Sequence, residues 1–228
     1  MKQRIVCAYW GDAQSSASLA SMTGTDAEII TLTLDLGQGT DLEEVRDRAL
    51  AAGAVRAHVL DVREEFARDY ILPAVRAGAL DSGTAAMADV IARPLVAKKL
   101  AEIAAIEQAN VAADASGGHA NLWGRVGPTY TLTKSPQDAP DTPAEVDISF
   151  QQGIPVSLSG IPMRLPELIE SLSIIAGHHG VGRLENGSGC SEAPAATVLH
   201  TAHRALDAPT GSVRIRLLKG NCTVVPQP

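Results

Sequence analysis

The stretch RIVCAYWGDAQSSASL, residues 4–19, decides the fold of the first half of the chain. Residues 3–9 predict a buried strand, a glycine-bearing turn follows, and the serine-rich residues 14–22 predict a weak helix. A turn of this kind after a first strand is where many α/β proteins bind a phosphate, because a helix N-terminus offers free N–H groups. Here the turn carries Trp10 and Asp12, and both disfavour a phosphate.

Strands and helices alternate from this stretch to about residue 120. A helix over 41–54 is predicted with Asp41 as its N-cap and Gly53 as its stop, and Pro94 permits a kink or a fresh start in the longest helix. The alternation predicts a parallel sheet with right-handed crossovers. The other predicted strands are 27–37, 55–62 and 110–116, and the other predicted helices are 63–77 and 85–109.

The pattern changes after about residue 120, where prolines separate short alternating strands typical of a small antiparallel sheet. Helices are predicted over 165–180 and 192–206. A hairpin is predicted over 212–225, with Gly220 and Asn221 supplying the turn chemistry. We therefore predict an α/β domain over residues 1–120 and a small α+β domain over residues 121–228.

The charge, the hydropathy and the cysteine content of the sequence argue against several classes of protein. The 228 residues carry a formal net charge of −7, and the basic residues are scattered among acids, which argues against nucleic acid or an anionic membrane surface as partner. No apolar run approaches the length of a transmembrane helix, and the start lacks a signal-peptide core. Three scattered cysteines do not make a disulfide framework. These features predict a cytoplasmic protein that acts on a small molecule.

Several longer stretches, read in order, resemble argininosuccinate synthase. They include DLGQGTDLEEVRDRALAAGA (35–54), NLWGR (121–125), ELIESLSIIAGHHGVGR (167–183), EAPAATVLHTAHRAL (192–206) and GSVRIRLLKGN (211–221). Together with the segments between them they cover nearly the whole chain. The resemblance implies an adenine nucleotide alpha hydrolase-like domain followed by a synthetase domain. It also implies chemistry in which ATP adenylates citrulline before aspartate attacks.

The functional positions depart from the family pattern more than the scaffold does. The family's pyrophosphate loop reads roughly YSGGLDTS, where this chain has YWGDAQSS over residues 9–16. The resemblance makes Gly11, Ser15 and Ser16 relic nucleotide-binding residues. Gln14 replaces the aspartate of that pattern, and Asp12 adds negative charge where the pyrophosphate would lie.

The other two substrate motifs are also altered. Ser116 and Gly117 keep the character of the aspartate-binding stretch. In the citrulline segment Asp89 stands where the family has a threonine, and Glu185 is the counterpart of a citrulline-binding glutamate. Omissions remove much of a helical arm, so the resemblance implies a monomer or homodimer rather than the family's tetramer.

An overlay on the family pattern places the altered residues in one cleft at the carboxyl ends of the parallel strands. From it we predict ATP-independent acid/base chemistry on a small metabolite, because carboxylates near a histidine suit that work. The candidate acid/base groups are Asp12, Asp89, Asp114 and His119. Trp10 is the stacking platform, and the other substrate contacts are Gln14, Ser116, Gly117 and Glu185. No cofactor is expected, with ATP and Mg²⁺ retained only if the loop still binds them.

Three alternatives stay open. The cleft is a silent relic that Trp10 fills, the chain is a non-catalytic protein that regulates an authentic synthase, or it is an ATP-dependent C–N ligase with a changed substrate. His200 and His203 have a spacing compatible with metal ligation, yet no third ligand is identifiable, and His179 belongs to the scaffold pattern. No metal site is predicted.

Overall fold

The computed structural model describes residues 2–23, 26–80, 87–112, 120–186 and 189–226. The chain divides into two units, one of Met1–Arg63 with Asp89–Gly118 and one of Glu64–Ala88 with His119–Pro228. The helices are α1 (Ala13–Thr23), α2 (Leu42–Ala51), α3 (Arg63–Phe66), α4 (Leu72–Arg76), α5 (Met87–Glu107), α6 (Leu165–His178) and α7 (Pro194–Arg204). None of the helices in these ranges combines the length and the apolar character that a membrane crossing requires.

The first unit is built on a four-stranded parallel sheet. Its strands are β1 (Gln3–Ala8), β2 (Ala27–Asp35), β3 (Arg56–Asp61) and β4 (Asn110–Val111), in the order β3-β2-β1-β4. Six consecutive residues of β2 are buried, 29–34, because helices cover both faces of a parallel sheet. The predicted α/β class of this half is confirmed.

The predicted capping residues of α2 lie where the sequence analysis expected them, whereas two other helices differ in detail from their predictions. Asp41 caps α2 by accepting N–H bonds from Glu43 and Glu44 at 3.0 and 3.1 Å, and Gly53 follows the helix at φ +102°. Pro94 lies inside α5, which runs through it without a break. The helix predicted over 63–77 contains a π-helical turn, Ala67–Ile71, between α3 and α4.

The second unit contains two antiparallel sheets, which confirms the predicted α+β region. One has β5 (Ala120–Asn121), β6 (Gly124–Gly127), β10 (Arg183–Asn186) and β11 (Gly189–Glu192), in the order β10-β11-β6-β5. The other has β7 (Ala144–Gln151), β8 (Ile154–Leu158), β9 (Ile161–Pro162), β12 (Gly211–Leu218) and β13 (Asn221–Val225), in the order β13-β12-β7-β8-β9. The core of this unit includes Leu168 and Leu172 of α6, Leu199 of α7 and Ile215 of β12.

The turn of the last hairpin differs from the prediction by one position. Lys219 and Gly220 occupy the turn with φ of 46° and 84°, whereas Asn221 is the first residue of β13. A two-residue turn of this type needs positive φ at both central positions, so it is Lys219 and Gly220 that form it. The amide of Asn221 donates to the Lys219 carbonyl at 3.4 Å.

A buried carboxylate ties three elements together at the amino-terminal edge of the parallel sheet. Glu107, at the end of α5, is 3% exposed. Its Oε1 atom accepts a hydrogen bond from Arg56 Nη1 at 2.5 Å and shares a second hydrogen bond with His58 Nε2 at 2.8 Å. Arg4 of β1 donates to the Glu107 backbone carbonyl at 3.1 Å. The hydrogen bond from Arg56, more than any other contact, holds the pKa of the Glu107 carboxyl below its usual range.

We expect Glu107→Gln to lower the free energy of unfolding by about 1–3 kcal/mol at pH 7, because two charge-assisted bonds are lost. Since folding lowers the pKa of Glu107, its stabilisation is present above the unfolded glutamate pKa of about 4.3 and is lost as the pH falls through the lower folded value. Urea denaturation of the native and variant proteins at pH 7 and at about pH 3.5 measures both effects.

The matched control is Glu102→Gln on the same helix, whose carboxylate is half-exposed and lies 3.1 Å from Lys99. This substitution should change the unfolding free energy by less than about 0.5 kcal/mol. Equal losses at the two positions would show that Glu107 does not join the elements as described.

Candidate functional site

A cavity of about 300 Å³ lies at the carboxyl end of β1, between the turn that follows this strand and the exposed side of α1. Its volume is at the lower end of the range for small-molecule sites. The lining residues come from β1, the turn, α1 and the residue after β4: Cys7, Ala8, Trp10, Asp12, Gln14, Ser15, Ser18, Ser21, Met22 and Ala112. The cavity therefore occupies the edge of the sheet at which open α/β proteins bind ligands.

Asp12 caps the helix that borders the cavity. Its Oδ1 atom accepts the backbone N–H of Ser15 at 2.7 Å, and its carbonyl accepts the N–H of Ser16 at 3.0 Å. The carboxylate therefore occupies a helix N-terminus, where a donor without an intrahelical partner and the helix dipole both favour an anion. In this chain that anion is part of the protein.

The hydroxyls of Ser15 and Ser16, which were predicted to be relic nucleotide-binding groups, form hydrogen bonds within the turn. Ser15 Oγ accepts the backbone N–H of Trp10 at 3.3 Å and lies 3.3 Å from the Asp12 carbonyl, to which it donates. Ser16 Oγ shares a hydrogen bond of 3.1 Å with the hydroxyl of Tyr9, a residue that is 1% exposed. Both serine hydroxyls are thus bonded to residues of the turn itself.

Gly11 fits the turn against α2. Its φ is +72°, a conformation that favours glycine, and Arg48 of α2 donates to its carbonyl at 3.0 Å. A Cβ atom at this position would lie 3.0 Å from a methyl group of the buried Val45 and 3.1 Å from Arg48 Nη2. The conformation therefore favours glycine here, and a Cβ atom would fit only if the side chains of Val45 and Arg48 moved by a few tenths of an ångström.

Cys7 contributes a neutral thiol to the cavity. Burial raises the pKa of this thiol to about 11, so it is protonated at pH 7 and is not a nucleophile. No catalytic signature surrounds this cysteine in the sequence. In the structure it acts as a small apolar group.

The structure brings together three of the predicted site residues, Trp10, Asp12 and Gln14, with Ser15 beside them. Asp89 does not line this cavity among the described residues, and its carboxylate forms an ion pair with Arg93 one turn along α5. Asp114, Ser116, Gly117 and His119 lie outside the described residues, as does the side chain of Glu185, whose backbone pairs with Cys190.

Sequence reasoning missed the α1 side of the cavity. Ser18, Ser21 and Met22 line it together with Gln14 and Ser15. These positions recur at three- and four-residue intervals, so they share one face of a helix. That spacing was readable in the sequence, but which face borders the cavity depends on packing, with Leu19 buried on another face.

The histidines of the second unit do not form a metal centre within the described parts of the chain, where no group of three or more His, Cys, Asp and Glu side chains could hold a metal ion. Burial lowers the pKa of His179, and burial with the nearby Arg76 lowers that of His203. Both pKa shifts favour neutral rings, as expected for histidines packed in a scaffold.

Comparison with known proteins agrees with this architecture. Residues 4–132 match the family model described as the Arginosuccinate synthase N-terminal HUP domain, and residues 121–220 match the Arginosuccinate synthase C-terminal domain. The argininosuccinate synthase of Rubrobacter xylanophilus is 34% identical over 287 residues, which covers 91% of this chain and 70% of the relative. That of Streptococcus suis is 30% identical over 285 residues, covering 90% of this chain and 72% of the relative.

We expect Gly11→Ala to lower the free energy of unfolding by about 2–3 kcal/mol, because the left-handed conformation and the contact with Val45 both add strain. Gly39→Ala is the control, since Gly39 has φ +69° but nothing within 4 Å of a Cβ atom. That variant should lose only about 1 kcal/mol. Chemical denaturation measures both, and equal losses would contradict the tight seating of Gly11.

Proposed function

This chain belongs to the argininosuccinate synthase family, and we propose that it uses the family scaffold for ATP-independent acid/base chemistry on a small, phosphate-free metabolite. One observation carries the proposal. The carboxylate of Asp12 already caps the helix N-terminus at which a pyrophosphate would be held.

Electrostatic magnitudes support the loss of the phosphate site. A helix N-terminus acts like about half a positive charge and stabilises a nearby anion by about 0.3–1 kcal/mol. Two like unit charges about 4 Å apart repel by about 1 kcal/mol in water and about 4 kcal/mol at the effective dielectric of a protein surface. A triphosphate carries several negative charges, so repulsion from Asp12 outweighs the attraction of the helix.

The hydrogen bonds of the turn also argue against phosphate binding. A phosphate oxygen accepts hydrogen bonds, so binding it through Ser15 would require the hydroxyl and the N–H of Ser15 to give up the bonds that they donate to the carbonyl and the carboxylate of Asp12. Each such exchange costs on the order of 1 kcal/mol unless the ligand replaces the bond. The turn therefore supports a site for a ligand that makes no demand on these donors.

The proposed chemistry uses Asp12 as the described acid/base group, with Trp10 as the platform beside it. Ala112 lines the cavity, and Asp114 and His119 follow it by two and seven residues, so we propose them as the partner acid/base groups. Ser116 and Gly117 are proposed as anion or carbonyl contacts. Asp89 is left out of the proposal because its carboxylate pairs with Arg93.

Calorimetric titration with Mg-ATP tests the loss of the nucleotide site. The native protein should give no binding heat up to millimolar ATP. The double variant Trp10→Ser/Asp12→Gly should recover measurable binding, because it removes the bulk of the indole and the repelling charge. Asp41→Asn, which alters the cap of α2 instead, should behave like the native protein. ATP binding by the native protein with a submicromolar to micromolar dissociation constant would contradict the proposal and favour the alternative of an ATP-dependent ligase.

Turnover without nucleotide tests the acid/base step. We expect the native protein to convert at least one component of a nucleotide-depleted small-metabolite extract, followed by mass spectrometry. Asp12→Asn, Asp114→Asn and His119→Gln should each slow that conversion by about 10²-fold or more, since general acid/base catalysis contributes about 10²–10⁴-fold. Asp89→Asn should leave the rate within about twofold.

Two outcomes of the turnover experiment would contradict the proposal. Conversion that continues unchanged in all three variants would remove their assigned roles. No conversion, with stable co-purification of an authentic synthase, would favour the non-catalytic regulatory alternative.

A further inference from the structure

The cavity beside α1 has a charge composition that selects among ligands. Asp12 is the one charged side chain among the described residues that line it. The others are hydroxyl, amide, sulfur-bearing, aromatic or methyl side chains, with Ser18 and Ser21 exposed on α1. Among the described lining residues, a ligand that enters the cavity therefore meets a single carboxylate in otherwise neutral surroundings.

Within the part of the chain that the structure describes, nearby charges do not cancel that carboxylate. The N-terminus of α1 contributes about half a positive charge, which leaves about half a negative charge around Asp12. Arg48 approaches the turn from α2, but it donates to the Gly11 carbonyl, lies 3.9 Å from Glu44, and does not line the cavity. The field that the described residues produce at the cavity is therefore negative.

The rest of the lining suits an apolar or aromatic group. Trp10 presents an indole, Met22 a polarisable thioether and Cys7 a protonated thiol, and Ala8 and Ala112 add small apolar surface. An indole face and a methionine sulfur both interact favourably with cations and with aromatic rings. A volume of about 300 Å³ restricts the ligand to a compact molecule.

We propose that the ligand of this cavity is a compact organic cation, an ammonium group attached to an apolar or aromatic body, recognised by the carboxylate of Asp12 and the indole of Trp10. This inference rests on the proposed function, because it names the class of the phosphate-free metabolite. The ammonium group lies against Asp12, and the apolar body lies between Trp10 and Met22.

Three probes of matched size and different charge test the inference: benzylammonium, benzyl alcohol and benzoate. Dissociation constants come from ¹H–¹⁵N titrations that follow the indole N–H of Trp10, which Trp10→Phe distinguishes from that of Trp123, the other tryptophan. Benzylammonium should bind at least tenfold more tightly than benzyl alcohol, and benzoate should bind most weakly.

Asp12→Asn should abolish the preference for benzylammonium while leaving the binding of benzyl alcohol within about twofold. Asparagine caps helices about as well as aspartate, so this variant keeps the fold of the turn. Asp41→Asn removes a cap charge from α2, away from the cavity, and should keep the native preference.

Several results would overturn the inference. Equal binding of the cation and the alcohol, preferred binding of benzoate, or no binding of any probe would each exclude a cation site. A preference that persists in Asp12→Asn would remove the assigned role of Asp12. Each of these leaves the proposed function standing if Mg-ATP still fails to bind, whereas Mg-ATP binding overturns the proposed function whatever the probes do.

Discussion

The hydrogen bond of 2.7 Å between Asp12 Oδ1 and the backbone N–H of Ser15 is the interaction on which the account of this site depends. It joins the end of the turn to the first turn of α1, and it supplies the negative charge that the helix N-terminus favours. Once a carboxylate is fixed there, the hydroxyl groups of Ser15 and Ser16 bond within the turn. In the proposed function, this one acidic residue takes the place of a bound phosphate and leaves a carboxylate beside the cavity.

The scaffold around this turn is stabilised independently of it. Glu107 joins α5 to β3 at the amino-terminal edge of the parallel sheet, whereas the turn lies at the carboxyl edge. In the second unit, the buried Glu192 accepts the backbone N–H groups of residues 131, 132 and 133 at 2.8 Å each. Because Glu107 joins its segments at the opposite edge of the sheet from the turn, we expect the turn to change its chemistry without unfolding the unit that carries it.

The sequence predicted the parallel sheet because strands alternate with helices in the first half of the chain, and it predicted α2 because Asp41 and Gly53 are strong local signals. The sequence-based prediction placed the last turn one residue too late. Lys219 has a positive φ, and lysine at a position gives no sign in the sequence that its backbone adopts this conformation. The sequence analysis recognised that the charge of Asp12 disfavours phosphate, but it did not recognise Asp12 as a helix cap. An aspartate just before a predicted helix is a typical N-cap signal. The cavity's α1 face could not be assigned because it depends on packing.

The most direct test of the central claim follows the backbone N–H signals of Ser15 and Ser16 by ¹H–¹⁵N NMR as pyrophosphate is added. If the carboxylate of Asp12 holds the helix N-terminus, the Ser15 signal stays in place in the native protein and shifts with added pyrophosphate in Asp12→Gly, whereas the Ser16 N–H keeps its bond to the backbone carbonyl of residue 12 and serves as the reference. A saturable shift of the Ser15 signal in the native protein would show that an external anion displaces Asp12, and would contradict the account.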